Sequence, residues 1–370
     1  MTETLPGTTT ATITIRARHR ADGTVAVEAD CTDPQGSALC TGTLAVFGEI
    51  TRSPPATPER AEANGRFQDY LDAARNGPPL RVAVVHPCNA ESISAAIEAA
   101  AAGLLEPVLV GPERKIRAAA DQAGIRLDGV TIESTDHSHA AAARAVELAV
   151  AGHVNGLMKG SLHTDELLGA VIAPASGLRT QRRISHVYVL DVPAYPKPLI
   201  VTDAAINIAP TLAQKRDIVQ NAVDFLHALG IPEPTVAILA AVETVNPAMP
   251  ATIDAAALTV MATRGQIRGA KVDGPLAFDN AINPDAARIK DISSAVAGHP
   301  DILVAPDLEA GNMLAKQLIY LAGAGAAGLV LGARVPIILT SRADSLKVRL
   351  ASVALAKLFA ARMLPGTFIG

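Results

Sequence analysis

The sequence predicts an α/β protein with a mainly parallel sheet, and two observations support this fold class. From about residue 79 onward, short runs of Val, Ile and Leu alternate with longer amphipathic or alanine-rich runs, as strands and helices do in βαβ units. Apolar residues make up 49% of the chain and charged residues 18%, which fits a large buried core. A length of 370 residues suggests about two domains.

Residues 1–55 have a different character from the rest. Two runs that alternate polar and apolar residues, 11–18 and 25–30, flank an Asp-Gly turn and predict a hairpin. A third short strand is predicted at 41–47. Three strands without a helix are too small for a stable core of their own. A linker rich in Pro and charge follows at 52–60.

Beyond the linker, apolar runs and helical patterns follow one another in order. The predicted strands are 81–86, 108–110, 131–133, 156–158, 187–190, 199–202, 235–239, 270–273, 302–305, 329–331 and 337–340. The predicted helices are 90–102, 113–123, 138–151, 164–171, 213–229, 253–263, 311–321 and 346–362. Asn89 is the candidate N-cap of the first helix, and the last helix is predicted to start near Ser345.

Polar and glycine residues gather in the loops that follow five of these strands. The five loops are 158–161, 201–207, 272–275, 305–312 and 340–344. One such loop commonly holds only turn and cap residues. In an open α/β sheet, however, the carboxyl ends of the strands face the ligand crevice, so five similar loops predict a shared site.

The last loop combines three useful groups within one turn. Ser341 supplies a hydroxyl, Arg342 a permanent positive charge and Asp344 a potential base. A helix cap is the alternative, with Asp344 or Ser345 holding the helix start and Arg342 solvated.

A basic set, Arg179, Arg182 and Arg183, precedes the strand at 187–190. Guanidinium groups match phosphate oxygens, so these residues are candidates for an anion clamp. The alternative is an exposed loop with solvated charges. Lys159, at the mouth of a strand, is a second candidate cation.

Several classes of site find no support in the sequence. His163 and His186 lie near the polar loops, but a His just before a strand is more often a core residue. No spacing of His, Cys and carboxylates suggests a metal, and neither GxGxxG nor a P-loop is present. A net charge of −4 and the absence of Trp argue against nucleic acid as a partner.

The chain is expected to work in the cytoplasm, without a membrane segment. The uncharged stretch between Lys316 and Arg334 is too short and too rich in glycine to span a bilayer. Cys31, Cys40 and Cys88 form no CxxC pattern, so neither a disulfide framework nor a zinc site is expected. No secretory signal is visible at the N-terminus.

Taken in order, the polar loops resemble the phosphate acetyl/butyryltransferase family over about residue 79 to the C-terminus. The matching segments are 157–160 (LMKG), 179–186 (RTQRRISH), 200–207 (IVTDAAIN), 272–281 (VDGPLAFDNA), 306–312 (PDLEAGN) and 340–345 (TSRADS). The resemblance implies two α/β/α domains with mainly parallel sheets and a cleft between them, as in isocitrate and isopropylmalate dehydrogenases. Domain I would be residues 60–185 with 329–370, and domain II residues 186–328.

The implied reaction converts acyl-CoA and phosphate to acyl phosphate and CoA, with the acyl group either acetyl or butyryl. CoA would be a substrate, and no permanently bound cofactor or metal is expected. The expected partners are these small molecules and a second copy of the chain in a homodimer.

The resemblance also implies roles for individual residues. Asp344 would take the proton of the CoA thiol, while Ser341 and Arg342 would stabilise the developing charge and hold the phosphate. Asp344 follows the Ser-Arg pair closely, as in the butyryl-type branch. The implied substrate-binding residues are Lys159, Gly160, Arg179, Arg183, Ser185, Asp203, Asn207, Gly274, Pro275, Asp279, Glu309, Gly311 and Asn312.

Residues 1–55 resemble the end of a hotdog-fold MaoC-type hydratase domain, without its catalytic half, so no hydratase activity is expected. Two other functions remain open from the sequence. One is a metal- and NAD(P)-dependent decarboxylating dehydrogenase, with Asp203, Asp273 and Asp279 as conceivable metal ligands. The other is a catalytically silent acyl-CoA-binding protein.

Overall fold

A computed structural model describes residues 65–339 and 345–363, and the backbone of three strands nearer the N-terminus. The chain divides into two compact units, residues 1–59 and 60–370. The first unit contains β1 (Thr12–His19), β2 (Val25–Thr32) and β3 (Ala38–Val46), paired antiparallel in that order. The predicted hairpin and third strand are therefore confirmed, whereas the linker at 52–60 lies outside the described residues.

In the second unit, eleven strands form one sheet, which confirms the α/β fold class. The strands are β4 (Leu80–Val85), β5 (Leu105–Gly111), β6 (Thr131–Ser134), β7 (Gly156–Lys159), β8 (Ser185–Asp191), β9 (Leu199–Thr202), β10 (Thr235–Leu239), β11 (Lys271–Leu276), β12 (Ile302–Val304), β13 (Gly325–Leu331) and β14 (Ile337–Ile338). Their order across the sheet is β11-β10-β12-β9-β8-β13-β14-β7-β4-β5-β6.

The helices of this unit include all those predicted. They are α1 (Gly65–Ala74), α2 (Ala90–Ala101), α3 (Glu113–Ala123), α4 (Ser138–Val150), α5 (Thr164–Ile172), α6 (Leu212–Ala228), α7 (Pro250–Thr263), α8 (Phe278–Ile282), α9 (Pro284–Ile289), α10 (Leu308–Tyr320) and α11 (Leu346–Arg362). Helices α1, α8 and α9 were not predicted. Asn89 caps α2 as expected, because its side chain accepts the Ser92 N–H at 3.0 Å. Helix α10 starts before residue 311 because Asp307 caps it.

The direction of the strands changes at the centre of the sheet. Strand β13 is antiparallel to both β14 and β8, and β8 is antiparallel to β9, whereas every other described neighbour is parallel. After three reversals, β9–β12 run opposite to β7 and β14. The C-terminal ends of β7 and β14 therefore lie at one edge of the sheet, and those of β9, β11 and β12 lie at the other. The five loops therefore do not follow strands of one direction, and the expected shared site stays a prediction.

The two faces of the sheet are covered differently. On one face, α1, α2, α3, α6, α7 and α11 pack on a single hydrophobic core that runs across both halves. The other face has two separate cores, one beneath α4 and α5 and one beneath α8 and α10. Side chains alternate along β8, and Val187 and Val189 belong to the continuous core, so His186 points to the divided face. The ring of His186 lies over Gly328 of β13, between the two separate cores.

This divided face fits the expected cleft, and the split into residues 60–185 with 329–370 and residues 186–328 stays a prediction. Within the described ranges, no helix combines the length and the apolar character needed to cross a membrane.

Candidate active site

The loop after β9 is organised around a buried carboxylate. Asp203 is 3% exposed and accepts hydrogen bonds from the backbone N–H groups of Ala205, Ile206 and Asn207 at 3.0 to 3.1 Å. An aspartate that binds the amides after it forms a tight turn, which explains why the apolar strand ends abruptly here. The amide Nδ2 of Asn207 donates to the same carboxylate. Asp203 therefore holds the loop and orients Asn207.

Asn207 in turn orients an arginine. Its Oδ1 accepts a hydrogen bond from Arg183 Nε at 2.6 Å, and its Nδ2 also donates to the Ile184 carbonyl at 2.9 Å. The Arg183 side chain is exposed, and its terminal amino groups have no protein partner among the described residues. A guanidinium held at Nε presents its other nitrogens as a fork for an oxyanion. The local structure thus supports the predicted anion-binding role of Arg183.

The other two arginines of the basic set take different positions. Arg182 forms an ion pair with Asp224 of α6. Arg179 is exposed, and its backbone bridges to Ala333, just before β14. The predicted clamp is therefore split, with Arg179 and Arg183 accessible and Arg182 engaged by a carboxylate.

Ser185, the first residue of β8, is completely buried. Its hydroxyl is 2.9 Å from Asn221 Nδ2, which also donates to the Arg183 carbonyl at 2.8 Å. Asn221 thereby links Ser185 to the backbone that carries Arg183, and substrate contact by the Ser185 hydroxyl stays a prediction.

The start of α10 packs directly on the Asp203 loop. A Cβ at Gly311 would lie 2.6 Å from the Asp203 carbonyl oxygen, so only glycine fits there. Asn312 Nδ2 donates to the Ala204 carbonyl at 3.0 Å. Both predicted residues contact the loop, whereas Glu309 is exposed on the first turn of the helix.

Lys159 and Gly160 lie at the opposite edge of the sheet, where β7 ends beside β4. A Cβ at Gly160 would approach the Val85 carbonyl oxygen to 2.4 Å, so the close strand-end contact requires glycine. Lys159 Nζ contacts the Gly160 carbonyl at 3.3 Å. Next to them, Ser161 Oγ donates to the His86 carbonyl at 2.7 Å and accepts the Cys88 N–H at 3.2 Å.

His86 was not among the predicted site residues. Its Nδ1 lies 3.2 Å from Ser161 Oγ, and its backbone φ of +53° is left-handed. Burial, and then the nearby charge of Lys115, lower the pKa of His86 below its usual value, which favours the neutral imidazole. The sequence feature that could have identified His86 is its position at the end of β4, which lies next to β7 in a parallel sheet.

Gly274, Pro275 and Asp279 form a third group, at the end of β11. A Cβ at Gly274 would lie 2.7 Å from the Ile238 carbonyl oxygen, and the bond to Pro275 is cis. Asp279 is exposed, and its carboxylate lies 3.6 Å from Lys290 Nζ. Among the described residues, no hydrogen bond joins this third group to Arg183, Asn207 or Asp203.

His186 is a core residue, as its position before the apolar strand predicts. It is 2% exposed, and its Nδ1 has no hydrogen-bond partner. Burial lowers its pKa to about 4, although the charge of Asp203 acts in the opposite direction.

The predicted catalytic residues Ser341, Arg342 and Asp344 lie outside the described residues. The chain on either side is described: β14 is buried, and the side chain of Ser345 caps α11 by accepting the Val348 N–H at 3.4 Å. Within the described ranges, no group of three or more His, Cys, Asp or Glu residues could hold a metal ion. The Asp203 carboxylate, one of the conceivable metal ligands, is occupied by its four N–H donors.

The described residues therefore include two candidate anion-binding groups, a preoriented arginine fork at one sheet edge and a lysine-bearing loop at the other. Both are cationic, which suits phosphate groups, and whether they serve one substrate stays a prediction. His86 and the half-buried thiol of Cys88 border the lysine loop, and burial raises the pKa of that thiol.

Comparison with known proteins gives a consistent answer. Residues 136–357 match the family model described as "Phosphate acetyl/butaryl transferase". A phosphate acetyltransferase of Rhizobium meliloti is 59% identical over 308 residues, which cover 83% of this chain and 96% of the relative. A probable phosphate butyryltransferase of Bacillus subtilis is 46% identical, covering 79% of this chain and 97% of the relative.

Among solved structures, a branched-chain phosphotransacylase from Enterococcus faecalis V583 superimposes with a TM-score of 0.67 and 30% identity. The match covers 76% of this chain and 99% of that structure. On this evidence the dehydrogenase interpretation is no longer favoured. The chain belongs to the phosphate acetyl/butyryltransferase family.

Proposed function

We propose that the protein transfers an acetyl group between CoA and phosphate, converting acetyl-CoA and phosphate to acetyl phosphate and CoA. The observation that carries this proposal is the Arg183 fork, held by Asn207 and open to an oxyanion, in a chain of this family. A phosphate or the phosphoryl group of acetyl phosphate is the anion that such a fork fits.

In the direction of acetyl-CoA formation, Asp344 accepts the proton of the CoA thiol. The thiolate then attacks the carbonyl carbon of acetyl phosphate, a tetrahedral oxyanion forms, and phosphate leaves as the C–O bond breaks. A thiol with a free pKa near 8.5 needs only a positioned base and cationic surroundings to react at neutral pH. Ser341 and Arg342 stabilise the oxyanion and the departing phosphate.

The choice of acetyl rests on relatives. The Rhizobium meliloti protein at 59% identity carries the name phosphate acetyltransferase. Butyryl is the second candidate, because Asp344 follows Arg342 closely and because the Bacillus subtilis relative is named a probable phosphate butyryltransferase. The panel of acyl phosphates described below separates the two.

The proposed enzyme needs no permanently bound cofactor or metal, since the base, the oxyanion donors and the anion fork are all side chains. Its proposed compartment is the cytoplasm, where reducing conditions keep the attacking thiol of CoA free.

The proposed assembly is a homodimer. Helix α7 has an apolar outer face, on which Ile253 is 42% exposed and Val260 is 57% exposed. Residues seven apart lie on one side of a helix, so they form part of a stripe. Helix α10 likewise exposes Met313 and Tyr320. A second copy of the chain would bury such faces.

The deciding experiment uses purified full-length protein, CoA and a series of acetyl, propionyl, butyryl and isobutyryl phosphates, with thiol loss as the readout. We expect thiol loss without added metal and with EDTA present, and fastest with acetyl phosphate. No turnover with any of the acyl phosphates would refute acyl transfer. Faster turnover with butyryl phosphate would replace only the acyl assignment.

A further inference from the structure

We propose that a groove on the continuous-core face of the sheet binds a phosphate-bearing small molecule, and that its occupancy adjusts Arg183. The groove lies between one face of α6, the connection from α7 to β11 and the end of α11. Its volume is about 1180 Å³. Pockets for small molecules typically measure about 300–1,000 Å³, so there is room for a nucleotide-sized ligand.

The charge of the groove is strongly one-sided. Its lining includes five arginines and only two aspartates. Both aspartates are already engaged, Asp224 by Arg182 and Asp217 by Arg216. The other three arginines, which have no carboxylate partner among the described residues, are Arg264, Arg268 and Arg362.

Part of this excess serves the helices themselves. Arg264 and Arg362 lie at the C-terminal ends of α7 and α11, where a cation offsets the helix dipole. Arg268 has no such role, and among the described residues its side chain donates only to the Gly265 carbonyl, at 3.0 Å. A phosphate dianion would compensate the positive charge of the groove that no carboxylate or helix end offsets.

The wall that carries Arg268 is held firmly against α6. Gln220 binds the Arg268 backbone twice, by accepting its N–H at 2.8 Å and donating to its carbonyl at 3.1 Å. His227 Nε2 lies 2.7 Å from the Gly269 carbonyl oxygen. A Cβ at Gly269 would come within 2.4 Å of the His227 ring, so this close approach requires glycine. A wall fixed in this way loses little entropy when a ligand binds.

The groove is connected to the candidate active site by two hydrogen bonds in series. Asp217, which lines the groove, accepts the Arg183 backbone N–H at 3.0 Å, and the Arg183 side chain binds Asn207. Arg216 holds the same Asp217 carboxylate at 2.6 Å. A bound anion that draws Arg216 away would therefore change the hold of Asp217 on Arg183. This coupling rests on the proposed function, because it requires Arg183 to bind substrate; the binding in the groove does not.

Binding is tested by calorimetry with ADP and with pyrophosphate, on full-length protein saturated with CoA so that the CoA site is filled. We expect both probes to bind, and affinity to fall at least about tenfold in the double variant Arg264→Ala/Arg268→Ala, since charge-assisted contacts are lost. Arg75→Ala, which removes an exposed arginine outside the groove, should bind as the unmodified protein does.

Three results would overturn the site: no binding of either probe at millimolar concentration, binding that is seen without CoA but lost at saturating CoA, or equal affinity in the double variant. Tight binding of ADP with none of pyrophosphate would show that the ligand must carry a nucleoside. These measurements test binding in the groove even if the protein catalyses no acyl transfer.

Coupling is tested through the KM for acetyl phosphate at saturating ADP. We expect a shift of about fivefold or more, the lower range for coupled sites. Asp217→Ala should abolish the shift while ADP still binds. A shift that persists in Asp217→Ala, or no shift in the unmodified protein, would refute the coupling.

Discussion

Arg183 Nε and Asn207 Oδ1 are joined by a hydrogen bond of 2.6 Å that connects the start of β8 to the loop after β9. The arginine keeps its terminal amino groups exposed while its stem is fixed. Asn207 is itself held by the buried Asp203. The orientation of the Arg183 fork therefore depends on a chain of hydrogen bonds that ends at a buried carboxylate.

Arg183→Ala should raise the KM for phosphate and for acetyl phosphate at least about tenfold, because a charge-assisted hydrogen bond to an anion contributes roughly 1.5–3 kcal/mol. Steady-state kinetics in both directions measure this. Arg117→Ala, which removes an exposed arginine on α3, is the control and should leave KM unchanged. Equal KM values in Arg183→Ala would place the anion elsewhere.

Gly160→Ala should destabilise the second unit by about 1–3 kcal/mol, because the new methyl group would press against the Val85 carbonyl and force the strand ends apart. Urea unfolding measures the change. Gly169→Ala is the matched control, since a Cβ there meets nothing within 4 Å and alanine favours the helix. A neutral Gly160→Ala would mean that the strand ends separate freely.

The free energy of unfolding should decrease as the pH is lowered, because of His186. Its pKa is about 4 in the folded protein, below the unfolded value of about 6.5, so the unfolded chain takes up the proton first. The contribution to stability is complete above about pH 6.5 and is lost progressively down to about pH 4. Urea unfolding between pH 7 and 4.5 should show this slope, which His186→Leu should reduce and the exposed-site control His153→Gln should not. If the slope is unchanged in His186→Leu, the pH dependence of stability comes from other titratable groups.

Val260→Glu should convert a dimer to monomers, because a carboxylate cannot be buried unpaired in an apolar interface. Sedimentation across a range of concentrations gives the mass. Val150→Glu, at a residue that is 50% exposed on α4, is the control and should remain dimeric. If the unmodified protein is itself a monomer, the homodimer proposal is refuted.

Local patterns predicted most elements because they depend on nearby residues. The cap of α2 is an example, since Asn89 and Ser92 are three residues apart. Helix α1 was missed although its buried Phe67, Leu71 and Ala74 have helical spacing, because it follows a long polar stretch. The reversal at β13 could not be predicted, because an apolar run carries no information about its direction.

The same distinction applies to the candidate site. The residue types at strand ends were informative, and Arg183, Asp203 and Asn207 do lie together. Their neighbours depend on long-range pairing: Arg182 meets Asp224, 42 positions away, and His86 meets Ser161, 75 positions away. Such partners are set by the sheet order and not by local sequence.

The continuous core on one face of the sheet has a consequence for how this unit unfolds. Helices from both halves bury their apolar side chains in it, so neither half can lose its structure without exposing the hydrophobic surface of the other. Residues 60–370 should therefore melt in a single cooperative transition, with equal calorimetric and van't Hoff enthalpies. The division of the core on the opposite face therefore does not give either half an independent stability.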